Sequence, residues 1–339
     1  MSQYTFKDFK SDQEVRWCPG CGDHAVLAAL QKAMPTVSER LGYEKERYVV
    51  VSGIGCSSRL PYYMDTYGFH SIHGRATAIS TGIKVANTDL TVWQACGDGD
   101  ALAIGGNHFI HAIRRNVDIN IILFNNRIYG LTKGQYSPTS KFGTITKTSP
   151  YGTVEHPFNP GSLVLGAKGT FFARSLDVEL KLNEEIMVAA AEHDGTSVME
   201  MLTNCVIFND GAHKEISDRT VKEDRTIVLR HGHKMIFGRN RDKGLVLDGM
   251  KLKVVTIGED GVTEDDILTH DAHTDNIGIH MMLADMKYPE YPVALGIIRD
   301  VKDVTYDDGV RDQVAEVSAK SKIHCVDDLL RSGSVWEVK

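Results

Sequence analysis

Four times in the first 205 residues, an apolar run of five or six residues stops at a cluster of glycine, asparagine or cysteine. Tyr48–Ser52 runs into Gly53-Ile54-Gly55-Cys56, and Thr91–Cys96 into Gly97-Asp98-Gly99-Asp100. Asn120–Phe124 ends at Asn125-Asn126, and Ser197–Leu202 at Thr203-Asn204-Cys205. The β-branched content of these runs predicts strands, and their continuous apolarity predicts burial on both faces, as in a parallel sheet. Between them lie helical patterns at 23–34, 75–86, 101–115 and 179–193, with a further strand at 171–174. Alternating strands and helices predict an α/β fold with a doubly wound, mainly parallel sheet. Ligands in such sheets sit beyond the carboxyl ends of the strands. All four clusters should therefore face one crevice.

Three segments follow: an arm over 1–16, read as polar, a core domain over 17–205, and an extension over 206–339. Ser197–Leu202 is read as the last core strand. The segment 127–160, rich in Gly, Ser, Thr and Pro, is read as irregular, and loops of that length are usually functional. The extension has charged surfaces of opposite sign: residues 213–253 carry 11 Lys/Arg against 6 Asp/Glu, and 259–312 carry 4 against 14. Its basic stretch, with Arg239, Arg241 and Lys243, is either a docking surface for an acidic partner or a solvated loop or subunit contact.

A net charge of −7 over 339 residues argues against nucleic acid or an anionic membrane as partner. No apolar run reaches the roughly 18 residues of a membrane span, and Met1 to Glu14 lacks the pattern of a signal peptide. The expectation is a cytoplasmic protein.

The turn Gly97-Asp98-Gly99-Asp100 has three readings. It is a capped strand-to-helix turn, a dinucleotide loop, or half of a metal–diphosphate site. The dinucleotide pattern Gly-x-Gly-x-x-Gly fails, because Leu102 occupies the third glycine's place. Joined to Asn125-Asn126 after 24 intervening residues, the turn offers a carboxylate and an amide from two strand ends. Hard oxygen ligands suit Mg²⁺. The glycines and the following helix N-terminus suit a diphosphate. The combination is a thiamine diphosphate signature.

Six cysteines remain: Cys18, Cys21, Cys56, Cys96, Cys205 and Cys325. Cys18-Pro19-Gly20-Cys21 alone fits zinc, a redox pair or chance. Cys56 and Cys205 fall at strand ends and can reach the same crevice, where four thiolates suit an iron–sulfur cluster. Cys96 reads as a core residue, and Cys325 receives no role. His231 and His233 lack a third metal ligand.

Trp17-Cys18-Pro19-Gly20-Cys21-Gly22, Gly53-Ile54-Gly55-Cys56-Ser57-Ser58, His73-Gly74-Arg75-Ala76, the Gly97 turn and Asn125-Asn126-x-x-Tyr129-Gly130-Leu131-Thr132-Lys133-Gly134-Gln135 occur in one order. Over residues 14–215 the chain thereby resembles the β subunits of 2-oxoacid:ferredoxin oxidoreductases. The resemblance implies a fold of the thiamine diphosphate-binding (diphosphate domain) type that also holds a [4Fe–4S] cluster. Cys18, Cys21, Cys56 and Cys205 would bind the cluster. Asp98, Asn126 and the Ile128 carbonyl would bind Mg²⁺. Gly55, Ser57, His73, Gly97, Gly99 and Asp100 would contact thiamine diphosphate. Leu131 would shape the substrate pocket, and Lys133 with Arg59 would meet carboxylates, which suits 2-oxoglutarate.

The implied reaction is oxidative decarboxylation of a 2-oxoacid, with coenzyme A taking the acyl group and ferredoxin the electrons. The carboxylate that activates thiamine diphosphate would lie on a partner α subunit, since the extension shows no second set of α/β strands. A pyruvate or broad 2-oxoacid enzyme, and a zinc-binding structural or regulatory subunit without catalysis, remain as alternatives.

Overall fold

A computed structural model describes residues 3–338. Met1, Ser2 and Lys339, the outer ends of the expected arm and extension, lie outside the described residues. The eleven strands described are β1 (Tyr48–Ser52), β2 (Tyr67–His70), β3 (Thr91–Gly97), β4 (Asn120–Asn125), β5 (Phe171–Leu176), β6 (Ser197–Leu202), β7 (Thr226–Leu229), β8 (Ile236–Phe237), β9 (Lys243–Asp248), β10 (Lys251–Thr256) and β11 (Val293–Asp300). Eight of them form one sheet in the order β2-β1-β3-β4-β6-β5-β11-β7. Every pairing in it is parallel except β11 with β5.

β1, β3, β4 and β6 lie side by side, so the four clusters that follow them emerge along one edge of the sheet, as their spacing predicts. All six residues of β4 are buried. One sheet face packs Trp93, Phe124 and Met201 against the helices Asp23–Leu41 and Leu180–Glu192. The other packs Cys96, Leu123 and Phe172 against Gly106–Arg115, Pro160–Gly166 and Ile277–Asp285. Cys96 is a core residue.

The structure corrects the strand count of the core. Ser197–Leu202 is not its last strand; it lies in the middle of the sheet, and β11 and β7 continue the sheet beyond β5. The extension is thus partly an extra edge of the core and partly a three-stranded antiparallel sheet, β10-β9-β8. β11 escaped notice because Gly296 and Arg299 interrupt its apolar run. The first helix also outruns its expected end near Met34, passing through Pro35 to Leu41. Buried Val37 and Ser38 hold that last turn, and the Ser38 hydroxyl meets the Tyr48 hydroxyl at 2.8 Å.

The central ion pair joins neighbouring strands. Arg174 and Glu200 are register partners on β5 and β6, and Arg174 Nε donates to Glu200 Oε2 at 2.6 Å. Asn125 on β4 donates Nδ2–H to Glu200 Oε1 at 2.7 Å. Arg174 also donates to the Ala284 carbonyl (3.1 Å) and Asn159 Oδ1 (3.2 Å). Removing one partner of such a buried pair costs about 3–5 kcal/mol, because the other charge is left uncompensated.

The arm is not only polar. Phe9 is fully buried, edge-on to Tyr4 and Tyr48 at ring-centroid distances of 5.6 and 5.4 Å. No helix among the described residues is long and apolar enough to cross a membrane. Phe9→Ala should lower unfolding stability by about 3–5 kcal/mol, the usual loss for emptying a buried phenylalanine site. Urea unfolding with an unchanged m-value checks this, and an unshifted midpoint would show that the arm contributes nothing.

Candidate functional site

The strand-end clusters enclose a cavity of about 90 Å³. Gly55, Cys56, Ser57, His73 and Gly97–Asp100 line one side, and Asn126 and Ile128–Thr132 the other. The Asp98 carboxylate is 2% exposed, and burial raises its pKa above the usual carboxylate value. Ser137 Oγ–H donates to Asp98 Oδ2 at 2.5 Å, and the Thr139 hydroxyl donates to the same oxygen. Thr139 also lies 2.9 Å from Asn125 Oδ1, but it has one proton and the anionic oxygen is the stronger acceptor. Asp98, the Asn126 amide and the Ile128 backbone border one space. A carboxylate and two neutral oxygens are a donor set that fits Mg²⁺.

Asp100 ties three loops together. Its Oδ1 accepts from Gly74 N at 2.8 Å and Ile54 N at 3.2 Å, and lies 4.0 Å from His73 Nδ1. Its Oδ2 is buried and, among the described residues, has no hydrogen-bond partner. A Cβ on Gly53 would overlap this carboxylate, so only glycine fits there. The helix that follows opens with a π-type turn over Asp100–Ile104, a feature frequent at functional sites. Tyr129 covers the turn and donates its hydroxyl to the Gly99 carbonyl at 3.1 Å.

The thiols converge beside the cavity. A methyl-sized group on Gly130 would touch both Cys205 Sγ (3.5 Å) and Cys56 Sγ (3.6 Å). Cys18, Cys21, Cys56 and Cys205 are all free, and Cys56 feels the charges of Cys18 and Cys205, Cys21 those of Cys56 and Cys205. Burial pushes the Cys56 thiol up to about 11 and raises Cys21 as well. These thiolates therefore need a positive partner. Among the described residues, no three His, Cys, Asp or Glu side chains close on a single-ion site. One tetrahedral zinc would require thiolates about 3.8 Å apart, from a Zn–S bond near 2.3 Å. The four-sulfur donor set fits a polynuclear cluster better.

Of the residues expected at the substrate, Leu131 lines the cavity, whereas Arg59 and Lys133 do not. Arg59 sits on the cysteine side, donating Nη1–H to the Arg16 carbonyl at 3.1 Å and lowering the Cys56 thiol. Lys133 is exposed, in a turn with φ 76°. The sequence reading missed Ser137 and Thr139, which grip Asp98; their signal was the hydroxyl run Ser137-Pro138-Thr139-Ser140 inside the irregular segment. It also missed Asp23, a buried carboxylate beside Cys21 raised to about 7 by burial, and His213. His213 Nε2–H donates to the Asn125 carbonyl at 2.9 Å and so supports the turn carrying Asn126.

Residues 53–201 match the family model described as thiamine pyrophosphate enzyme, C-terminal TPP binding domain. A 2-oxoglutarate oxidoreductase subunit KorB of Mycobacterium tuberculosis is 48% identical over 335 residues, covering 98% of this chain and 88% of that one. The chain belongs to the 2-oxoacid:ferredoxin oxidoreductase β-subunit family. A 2-oxoacid:ferredoxin oxidoreductase β subunit of Saccharolobus solfataricus is 42% identical over 207 residues, covering 60% of this chain and 67% of that one. A solved 2-oxoglutarate:ferredoxin oxidoreductase from Magnetococcus marinus, with 2-oxoglutarate, coenzyme A and succinyl-CoA bound, superposes with a TM-score of 0.75 at 30% identity. That likeness covers 98% of this chain and 96% of the solved one, so it includes the added strands of the last third.

His213 yields a pH prediction. Burial and the nearby Arg127 push its pKa down to about 3 from an ordinary 6.5. Below about pH 6.5 the unfolded chain takes up a proton that the folded one refuses, so stability falls with pH until about 3. The loss approaches about 1.4 kcal/mol per pH unit within that window. His213→Gln keeps a donor for Asn125 and should remove this part of the slope between pH 6.5 and 5. Equal slopes in the two proteins, read from urea midpoints, would show that His213 is protonated in the fold.

Proposed function

We propose that this chain is the β subunit of a 2-oxoglutarate:ferredoxin oxidoreductase, active with a partner α subunit. The reaction converts 2-oxoglutarate and coenzyme A to succinyl-CoA and CO₂ with two electrons passed to ferredoxin, or runs in reverse. The observation that carries the reading is the near-full-length match to a 2-oxoglutarate oxidoreductase subunit, with four thiols meeting beside an oxygen-lined cavity. Electron transfer needs those thiols; a decarboxylase without oxidation does not.

Asp98, Asn126 and the Ile128 carbonyl would hold Mg²⁺. Gly55, Ser57, His73, Gly97, Gly99 and Asp100 would frame the diphosphate, and Cys18, Cys21, Cys56 and Cys205 would hold a [4Fe–4S] cluster. Bound thiamine diphosphate supplies a carbon nucleophile for the 2-oxo group and an electron sink for loss of CO₂. Asp98 brings the negative charge that a divalent cation needs, and the Ser137 and Thr139 hydroxyls fix its orientation. Tyr129 and Leu131 line the same cavity. Lys133 would meet a substrate carboxylate once the partner is in place.

Partner dependence has a physical basis. A cavity of about 90 Å³ is well below the roughly 300–1,000 Å³ of small-ligand sites, so this chain encloses only part of the cofactor. Reduced, free thiols at the site fit a cytoplasmic setting.

Anaerobic co-expression with the α subunit, followed by a panel of 2-oxoacids, tests the reading. The complex should contain about four irons and sulfides per chain and prefer 2-oxoglutarate. One zinc and no turnover would replace the reading with a structural role, and preference for pyruvate would change the substrate. Cys205→Ser should abolish ferredoxin reduction while the fold persists. Lys133→Ala should lower the ratio of 2-oxoglutarate to pyruvate turnover by about ten-fold or more, the effect of losing a charged hydrogen bond. An unchanged ratio would remove Lys133 from substrate recognition.

A further inference from the structure

A second cavity, of about 250 Å³, opens where the ends of β4 and β6 meet the 157–160 and 284–288 segments. It shares no lining residue with the cofactor cavity. Its charges are unequal. Arg174 is paired with Glu200, and Lys141 with Glu215 at 2.7 Å. Lys287, at the mouth, is paired with Asp285 at 3.2 Å. Arg127 is the exception. Among the described residues its guanidinium makes one hydrogen bond, Nη1 to the Ala212 carbonyl at 3.2 Å, and no ion pair. A largely desolvated guanidinium with most of its donors unused is costly unless an anion completes it.

The walls opposite are apolar: Phe158, Met286, Tyr288 and Val293. A cavity of about 150 Å³ suffices for benzene, so this one has room for a ring or short hydrocarbon bearing one acidic group. Thr139 and Asn125, both buried, border the charged end. Glu200 and Glu215 attract Arg127 through space, but both are already engaged in ion pairs with Arg174 and Lys141, so neither fills its unused donors.

We propose that this cavity is a binding site for a small organic carboxylate, its head group on Arg127 and Lys141 and its apolar body against Phe158, Met286 and Tyr288. The occupant would abut Thr139, the same side chain that grips Asp98, so the site adjoins the cofactor machinery without belonging to it.

The test uses the co-expressed complex, with benzoate in calorimetry and 3-bromobenzoate in crystals. Bromine anomalous density between Arg127 and Tyr288 is expected, with benzoate binding weakened about ten-fold or more in Arg127→Gln and measurably in Lys141→Met. Inorganic phosphate should bind more weakly than benzoate, because it cannot use the apolar wall. Bromine found only elsewhere, phosphate binding as tightly as benzoate, or unchanged affinity in the variants would overturn the proposal. If Arg127→Gln does not fold, Lys141→Met and the bromine position decide. Binding rather than turnover is read, so the result stands apart from the identity of the 2-oxoacid.

Discussion

The Glu200 carboxylate is the point on which the fold and the site both rest. It sits 2% exposed in the sheet, salt-bridged to Arg174 on β5 and hydrogen-bonded by Asn125 on β4. Through Arg174 it reaches Asn159, at the end of the irregular segment, and Ala284 in the last third. Through Asn125 it fixes the end of β4, from which Asn126 and Ile128 turn into the cofactor cavity. A hydrophobic pair in its place could be as stable, but it could not orient the Asn125 amide. Here the buried charges give direction to a strand end that carries the chemistry.

Burial works against ionisation at nearly every group of the site. Asp98, Asp100, Asp23, Cys21 and Cys56 all have raised pKa values, with desolvation the largest cause. Acidic side chains of this kind, packed around one crevice, are held ready for positive partners. A divalent cation beside Asp98 and a cluster among the thiols would each return the missing counter-charge.

Legibility followed the range of the interactions. β1, β3, β4 and β6 could be read because buried parallel strands show as plain apolar runs, and the clusters closing them stand beside each run in sequence. Gly97-Asp98-Gly99-Asp100 and Asn125-Asn126 announced themselves for the same reason. What resisted reading was long-range. β11 is broken by Gly296 and Arg299, and only its contact with β5 makes it a core strand. Ser137 and Thr139 look like ordinary loop hydroxyls until the chain brings Asp98 beneath them. Phe9 looks like a single aromatic in a charged arm, since its partner Tyr48 lies 39 residues away. Arg59, which the resemblance placed at the substrate, lies on the cysteine side.

The spacing of the four thiols has a consequence for biosynthesis. Cys18 and Cys21 are made together, Cys56 soon after, and Cys205 only when about three fifths of the 339 residues have been made. Until then a nascent chain displays three thiols without the fourth. Any cluster delivered at that stage would be incompletely ligated and open to oxygen. On the proposed ligand set, cluster insertion would have to wait for β6 to dock between β4 and β5, since that docking carries Cys205 to Cys56. The sheet itself would then act as the timer for loading.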